Sequence, residues 1–547
     1  MSDGTTPPVP PAYVVEEFTA EERSVLARHF TSVDGPVFAL VGLPEVVKGA
    51  LFARYSRSPK SVRRLFLDEF YDGSAPPAGP ESLQGVDRER AERLYQRVFT
   101  EYGDDSVAQL GGAHLACEQA SNILTKVLEW GRLASYLEQS TRYIFYDRPL
   151  GGRYRYHVPP EIAASSFASE YRAVLDSVFD TYRDLTDTLS GFYRALYPQQ
   201  SGDSDFVYRS TIRAKACDDL RGLLPAATVS NVGIYASGQA YEALLLRMRA
   251  HPLGEVRSYA DLILHELRSV IPSFVRRVDV PERGGAWSAY LAETAGAITA
   301  ATAGLTIGVP HRPEVTLVEW DPDAETKIAA AALYAVTDAP DDALLDHVRG
   351  LSGADRAALI AAYVGERGNR RHRPGRAMER SGYRFDLLTD YGIFRDLQRH
   401  RLLTIEWQRL GTDHGYIVPE AVTEVGAEAA WRSAMERTAD LHGRLTTALG
   451  PHVAQYAVPF AYRVRYVMQL NAREAFHLLE LRTARGGHAG YRRVCQEMHR
   501  QIRDVAGHRQ IADAMRFVDH EVYELERLES ERAAAARRAE AGLDDPA

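Results

Sequence analysis

The chain has 547 residues, 45% hydrophobic and 25% charged, the balance of an ordinary globular protein. Its formal net charge of -9 argues against a general nucleic-acid binder. Three scattered cysteines, Cys117, Cys217 and Cys495, make neither a disulfide framework nor a zinc spacing, which suits a reducing cytoplasm, and no run of about 18 apolar residues offers a membrane span.

Residues 1–15, polar and proline-rich, read as a disordered lead-in lacking the basic and apolar parts of a signal peptide. Helical spacing follows over 16–32 and 44–70, with Pro59 placed as a first-turn proline behind Ser58. The strip 72–90 reads as a loop, and from Asp87 to about Tyr143 the pattern is helical. Residues 153–162, RYRYHVPPEI, read as extended and turn into a helix at Pro160; 161–197 reads as one long amphipathic helix and 198–206 as a polar loop. Further helices are expected at about 207–222, 237–250 and 253–272. Gly, Ala and Thr then dominate, with breaks at Pro281, Pro310 and Pro313, so 281–313 is the expected junction, although 285–303 also suits a helix. From 315, VTLVEWDPDAETKIAAAALYAV spells a strand, a turn and an Ala-rich helix opened by acidic residues. The charge-patterned tail, 516–547, reads as helix before it frays.

Two stretches look like damaged copies of one motif, and the damage lies in opposite places. WGRLASYLEQSTRY (130–143) keeps a tail, Glu138, Ser140, Arg142 and Tyr143, behind Trp130-Gly131-Arg132. RHRLLTIEWQRLGT (399–412) keeps a head, Arg399-His400-Arg401, with Arg409 where a Ser would follow. A second pair comes later in each half. Residues 221–257 retain Arg247 and His251 but have Ala236, Gly238 and Glu242 where Asn, Arg and His would stand; residues 459–493 carry Asn471, Arg473, His477 and Arg482 behind Pro459. Arg-His-Arg, seven residues, Ser, with a later Pro before a helix bearing Asn-x-Arg, His and Leu-Arg, resembles the signature of the flavin-dependent thymidylate synthase (ThyX) family. The resemblance covers most of residues 90–275 and 314–510. It implies an α+β fold of two tandem repeats, 16–280 and 314–515, each a small β-sheet packed by long helices.

The chemistry asks for particular groups. A nucleotide 5′-phosphate wants a bidentate guanidinium with hydroxyl or backbone donors. A pyrimidine whose C5 is to become nucleophilic wants a cation near its N3/O4 edge. A flavin wants donors at its N1/O2 edge and its diphosphate. The resemblance implies a nucleotide site shared between two repeats: Glu138, Ser140, Thr141, Arg142 and Arg221 from the first, Arg399 and Arg482 from the second, with Arg482 assisting ionisation of the pyrimidine. It implies flavin contacts from Arg399, His400, Arg401, Asn471, Arg473 and His477. The reverse combination, Trp130, Arg247, Arg409, Gly411 and Gln455, keeps only Arg247 among the expected ligands and should be dead. The implied reaction is the reductive methylation of dUMP to dTMP with FAD, methylenetetrahydrofolate and NADPH, without a protein nucleophile or a metal. Two fused chains would supply the four repeats of the family's tetramer, so a homodimer is expected, with a small-molecule nucleotide as partner and neither nucleic acid nor membrane.

Departures leave two further readings open. Asp396 stands where the family usually has Gln, Leu137 where a polar amide is frequent, and GDDSVAQ (103–109) and RRHRPGRAMER (370–380) match the family's GH-x-S-type segment loosely. A flavoenzyme of the same ancestry acting on another nucleotide or metabolite, and an inactive flavin- or nucleotide-binding scaffold, both accommodate them. Plainer roles stand beside each residue. Arg-His-Arg alone is a solvated basic face, Ser140 with Arg142 a helix end, His477 a core histidine, His488 a loop residue, and the cysteines structural.

Overall fold

The computed structural model describes residues 16–35, 38–55, 60–71, 109–142, 144–200, 203–308 and 310–523. The lead-in 1–15, Pro59, the 72–90 loop, residues 103–108, Tyr143 and the tail from 524 lie outside them. Two compact units emerge: 1–117, 133–137 and 233–304 form one, and 118–132, 138–232 and 305–547 the other. The chain passes between units several times, so this division cuts across the sequence repeats rather than following them.

Strands β1 (Gly112–Ser121), β2 (Ala134–Glu138) and β3 (Val229–Ser237) form a sheet in the order β1-β3-β2. Strands β4 (Val315–Trp320), β5 (Gly382–Asp390), β6 (Thr404–Trp407) and β7 (Arg463–Asn471) form a second in the order β4-β5-β7-β6, antiparallel throughout. Its inner face follows from the alternation along the strands: Tyr383, Phe385 and Leu387 on β5 and Val464, Tyr466, Met468 and Leu470 on β7 are buried. Burying each such side chain contributes roughly 1.5–3 kcal/mol.

The order β1-β3-β2 recurs as β5-β7-β6, with matching connections. β1 runs into the Asn122–Leu128 helix and β5 into Tyr391–Gln398. Both helices are capped from the last strand residue, Ser121 accepting from Leu124 N and Asp390 from Ile393 N. The short helices Arg221–Leu223 and Gln455–Ala457 precede β3 and β7. Ser237 then caps the Gly238–Arg249 helix as Asn471 caps Ala472–Arg482. These caps correct the expected register of the later anchor by one residue. Ser237, Gln239, Ala243 and Met248, not Ala236, Gly238, Glu242 and Arg247, occupy the places of Asn471, Arg473, His477 and Arg482.

Equivalent pieces of the two halves meet inside the second unit. Pro225 bridges Pro459, Ala226 N donates to Val458 O, and Phe460 N donates to Leu224 O at 2.9 Å. Tyr391 Oη donates to Asn122 O, tying together the starts of the two equivalent helices. The long helices Ala168–Leu196 and Glu428–Leu449 add an ion pair between Glu170 and Arg444.

Four sequence expectations change. The helical pattern to Tyr143 is strand over β1 and β2; in β1 the strand period is hidden where Gln119, at φ 53, breaks the alternation. The long helix expected over 161–197 is interrupted between Pro160–Ala163 and Ala168–Leu196. The polar loop closes early, at the Asp205–Leu220 helix capped by Ser204. Residues 516–523, expected to be helical, are irregular, and Asp519 and Glu521 accept hydrogen bonds from Gln496 through their backbone oxygens. The junction does hold a helix, Ala286–Ala301, with no buried residue and with Trp287, Tyr290 and Ile298 exposed. Among the described residues no helix is long and apolar enough to cross a membrane.

Candidate functional site

The turn after β2 carries the motif tail, and buried charge fixes its shape. Glu138 lies between Lys126 Nζ at 3.1 Å and Arg395 Nη2 at 2.8 Å, and Arg395 Nη1 also donates to Thr141 Oγ1 at 3.3 Å. Lys126 and Arg395 occupy the same position of the two equivalent helices, so one carboxylate is gripped from both repeats. Burial raises the Glu138 pKa, but Arg395, Lys126 and Arg399 outweigh it and hold the group below the usual carboxylate range. The side chains of Glu138 and Thr141, expected to touch substrate, are therefore turned inward and set the turn instead. Ser140 Oγ accepts from Arg142 N at 3.2 Å, which aims the Arg142 side chain.

Arg142 makes a bidentate pair with Asp218, at 2.6 and 2.8 Å, and donates to Tyr491 Oη at 3.3 Å. Its guanidinium carbon is 5.8 Å from the Tyr491 ring centroid; that of Arg482 is 5.3 Å from the same ring. The motif tail of the first repeat and the late arginine of the second thus flank one tyrosine. Arg221 reaches the same place from the short helix before β3, donating to Asp396 Oδ2 at 3.0 Å. Gly392 makes room for it: a Cβ there would sit 3.1 Å from Arg221 Nε. Asp396 also pairs with Arg399, and its backbone oxygen accepts from Arg482 Nη2. Burial works to raise the Asp396 pKa, yet Arg399, Arg221, Arg482 and Arg142 together hold it well below the ordinary range. Asp218, where Arg142 outweighs burial, is brought down to about 2.

Uncommitted donors in this cluster include one on Arg221 and one on Arg482. Arg221 Nη2 is buried without a hydrogen-bond partner among the described residues. Arg482 is anchored by Nε to His400 Nε2 at 2.8 Å and by Nη2 to Asp396 O, leaving Nη1 without a hydrogen bond among the described residues. An arginine held at two nitrogens and open at the third is a preorganised donor.

The residues expected around a flavin lie on the stretch after the Tyr391–Gln398 helix and on Ala472–Arg482. His400 is buried; its Nδ1 faces Glu474 Oε1 at 3.3 Å, as does that of His477, with the two rings 5.3 Å apart. Burial takes the His400 pKa down to about 4, so the ring is neutral at pH 7. The ligand atoms of His400, Glu474 and His477 lie within 4.8 Å of one another, close enough to hold a metal ion. Asn471 spends its amide oxygen on the helix cap. Arg473 donates to Pro374 O and pairs with Glu379, and Arg401 is exposed. The helix is seated by Arg367, paired with Glu480 at 2.6 Å between Phe476 and Phe517.

Two positions of the reverse combination have partners within the protein. Gln455, in the place of Arg221, accepts from Leu410 N, and Trp130, in the place of Arg399, packs edge-on against Trp407. Sequence reasoning missed Asp218, Arg395, Lys126, Gly392 and Tyr491. The only local signal was the paired acids Asp218-Asp219 near a motif that needs a counter-ion.

The family model described as Thymidylate synthase complementing protein matches residues 57–273 and 316–507. A UPF0159 protein of Chlamydia muridarum (strain MoPn / Nigg) is 38% identical over 522 residues, 94% of this chain and 98% of the relative. A flavin-dependent thymidylate synthase of Nitratidesulfovibrio vulgaris is 26% identical over 212 residues, 38% of this chain and 76% of its own. Among solved structures, the UMP/dUMP methylase PolB from Streptomyces cacaoi, bound with 5-Br dUMP, aligns over 38% of this chain and 97% of its own, with 18% identity and a TM-score of 0.30.

Proposed function

Since the chain belongs to the Thymidylate synthase complementing protein family, we propose that it catalyses the reductive methylation of dUMP to dTMP, using FAD, methylenetetrahydrofolate and NADPH. One observation carries the reading: Arg142 and Arg221 of the first repeat meet Arg399 and Arg482 of the second around Asp396 and Tyr491 within a single chain.

In this reading the 5′-phosphate takes the place Asp218 holds on Arg142, with Ser140 and Arg221 Nη2 as further donors. The pyrimidine faces Arg482, whose open Nη1 stabilises negative charge developing at the O4 edge. His400, neutral, accepts from Arg482 Nε and keeps the guanidinium oriented. The donors around FAD are Arg399, Arg401, Arg473 and His477, whose partly exposed polar edges suit a diphosphate and a flavin ring edge. Bound there, FAD would supply the reducing equivalents taken from NADPH.

Asp396 favours a second reading, a flavoenzyme of the same fold acting on another nucleotide. A carboxylate accepts hydrogen bonds and cannot donate to a uracil carbonyl as an amide does. The reading as a homodimer draws support from the Ala286–Ala301 helix, whose exposed Trp287, Tyr290 and Ile298 suit burial against a second copy.

The test has two parts. The purified protein should show the visible absorbance of oxidised flavin, and with NADPH and methylenetetrahydrofolate it should release tritium from C5-labelled dUMP. Bound flavin without tritium release rejects thymidylate synthesis and leaves the second reading. A protein that takes up no flavin rejects both.

A further inference from the structure

A second cationic site shares no residue with the composite site. A cavity of about 820 Å³ opens between the residues leading into β4, the outer face of β5 and β7, and the loop after β6. That volume falls within the range of small-molecule sites, ~300–1,000 Å³. Four guanidiniums line it: Arg312, Arg463, Arg465 and Arg493. Their placement follows from the fold. Arg463 and Arg465 stand two apart on β7 and share a face, Arg493 comes from the Ala489–Asp504 helix, and Arg312 from the segment before β4.

Two of the four are neutralised within the protein. Arg465 pairs with Asp386 at 2.9 Å, and Arg493 makes a forked pair with Glu314 at 2.8 Å. Arg312 and Arg463 make no side-chain ion pair or hydrogen bond among the described residues, and both are exposed. A chain of net charge -9 thus gathers four arginines around one cavity and leaves two of them without a counter-ion among the described residues. Convergent guanidiniums repel one another, and an anion in the cavity relieves that repulsion. All four are arginine rather than lysine, and the planar fork suits phosphate oxygens bidentately. Tyr416, also in the wall, adds an aromatic surface for a ring.

We infer that this cavity binds a nucleotide-sized organic phosphate, its phosphates held by Arg312 and Arg463 and its ring by Tyr416. The inference does not rest on the proposed methylation, since the cavity lining shares no residue with the composite site.

ATP titrated into the full chain by calorimetry is the probe, with inorganic triphosphate for comparison. The double variant Arg312→Gln/Arg463→Gln should bind ATP at least tenfold more weakly, since each substitution removes a charge-assisted contact. Neither side chain has a partner among the described residues, so the thermal midpoint should not move. Arg142→Gln, altered in the composite site, should bind ATP as the unmodified protein does. Loss of ATP in Arg142→Gln but not in the double variant would overturn the assignment, as would failure of the unmodified chain to bind ATP. Inorganic triphosphate binding as tightly as ATP would overturn the role of Tyr416.

Discussion

Arg482→Lys separates transition-state stabilisation from simple charge. Arg482 is held by Nε to His400 at 2.8 Å, by Nη2 to the Asp396 carbonyl, and by the Tyr491 ring at 5.3 Å. An ammonium keeps the charge but offers no planar fork, so it cannot hold both anchors and also face a pyrimidine. Each charge-assisted hydrogen bond is worth about 1.5–3 kcal/mol, and losing a preorganised donor to developing negative charge costs ~10²–10³ in turnover. Tritium release from C5-labelled dUMP should accordingly fall at least ~10²-fold in kcat. KM for dUMP should change by less than about tenfold, because the proposed phosphate contacts are Arg142 and Arg221. Flavin absorbance should persist, since Arg482 lies outside the flavin set. Turnover within about tenfold of the unmodified enzyme, with flavin bound, would refute the role given to Arg482. Loss of flavin would place it in the cofactor pocket instead.

Two other outcomes are expected. His400, buried and taken down to about 4 from 6.5, stays neutral in the folded chain while the unfolded chain takes up a proton as pH falls through 6.5. Its contribution is thus fully present above pH 6.5 and is lost between 6.5 and 4, on the order of 3 kcal/mol. Asp219 and Asp390, both raised by burial to about 6, act with the opposite sign over the same interval and cancel when His400→Gln is compared with the unmodified chain. Urea unfolding across that range should give a shallower acid loss for the variant, and parallel profiles would contradict the assignment. Trp287→Glu places a charge on the exposed apolar helix, so light scattering should show a dimer becoming monomer; a mass unchanged by the substitution would exclude that helix as the contact.

The helices of this chain were legible wherever a cap and a 3.6-residue period coincided. The helices at 205–220, 238–249 and 254–270 fall within two residues of expectation because Ser204 and Ser237 and the apolar stripe mark them locally. The strands were less legible. β1 carries Glu118 and Gln119 where alternation breaks, and β2 exposes Leu137, so neither shows a clean period of two. The one-residue error in the later anchor has the same origin: matching residue types placed Arg247 opposite Arg482, whereas the Ser237 cap fixes Met248 there.

By itself the sequence disclosed the two related segments, and it suggested the proposed division of labour, because the surviving halves of two motifs are local strings whose residue types can be read in place. It also marked the arginines assigned to the proposed nucleotide and flavin sites. Tertiary structure alone decided which of them are open. Glu138 is closed between Lys126 and Arg395, Arg142 is held on Asp218, and Arg221 and Arg399 share Asp396. These pairs join positions up to 257 residues apart. A buried charge must find an opposite charge wherever the fold brings one, and no local pattern in the chain records which partner that will be.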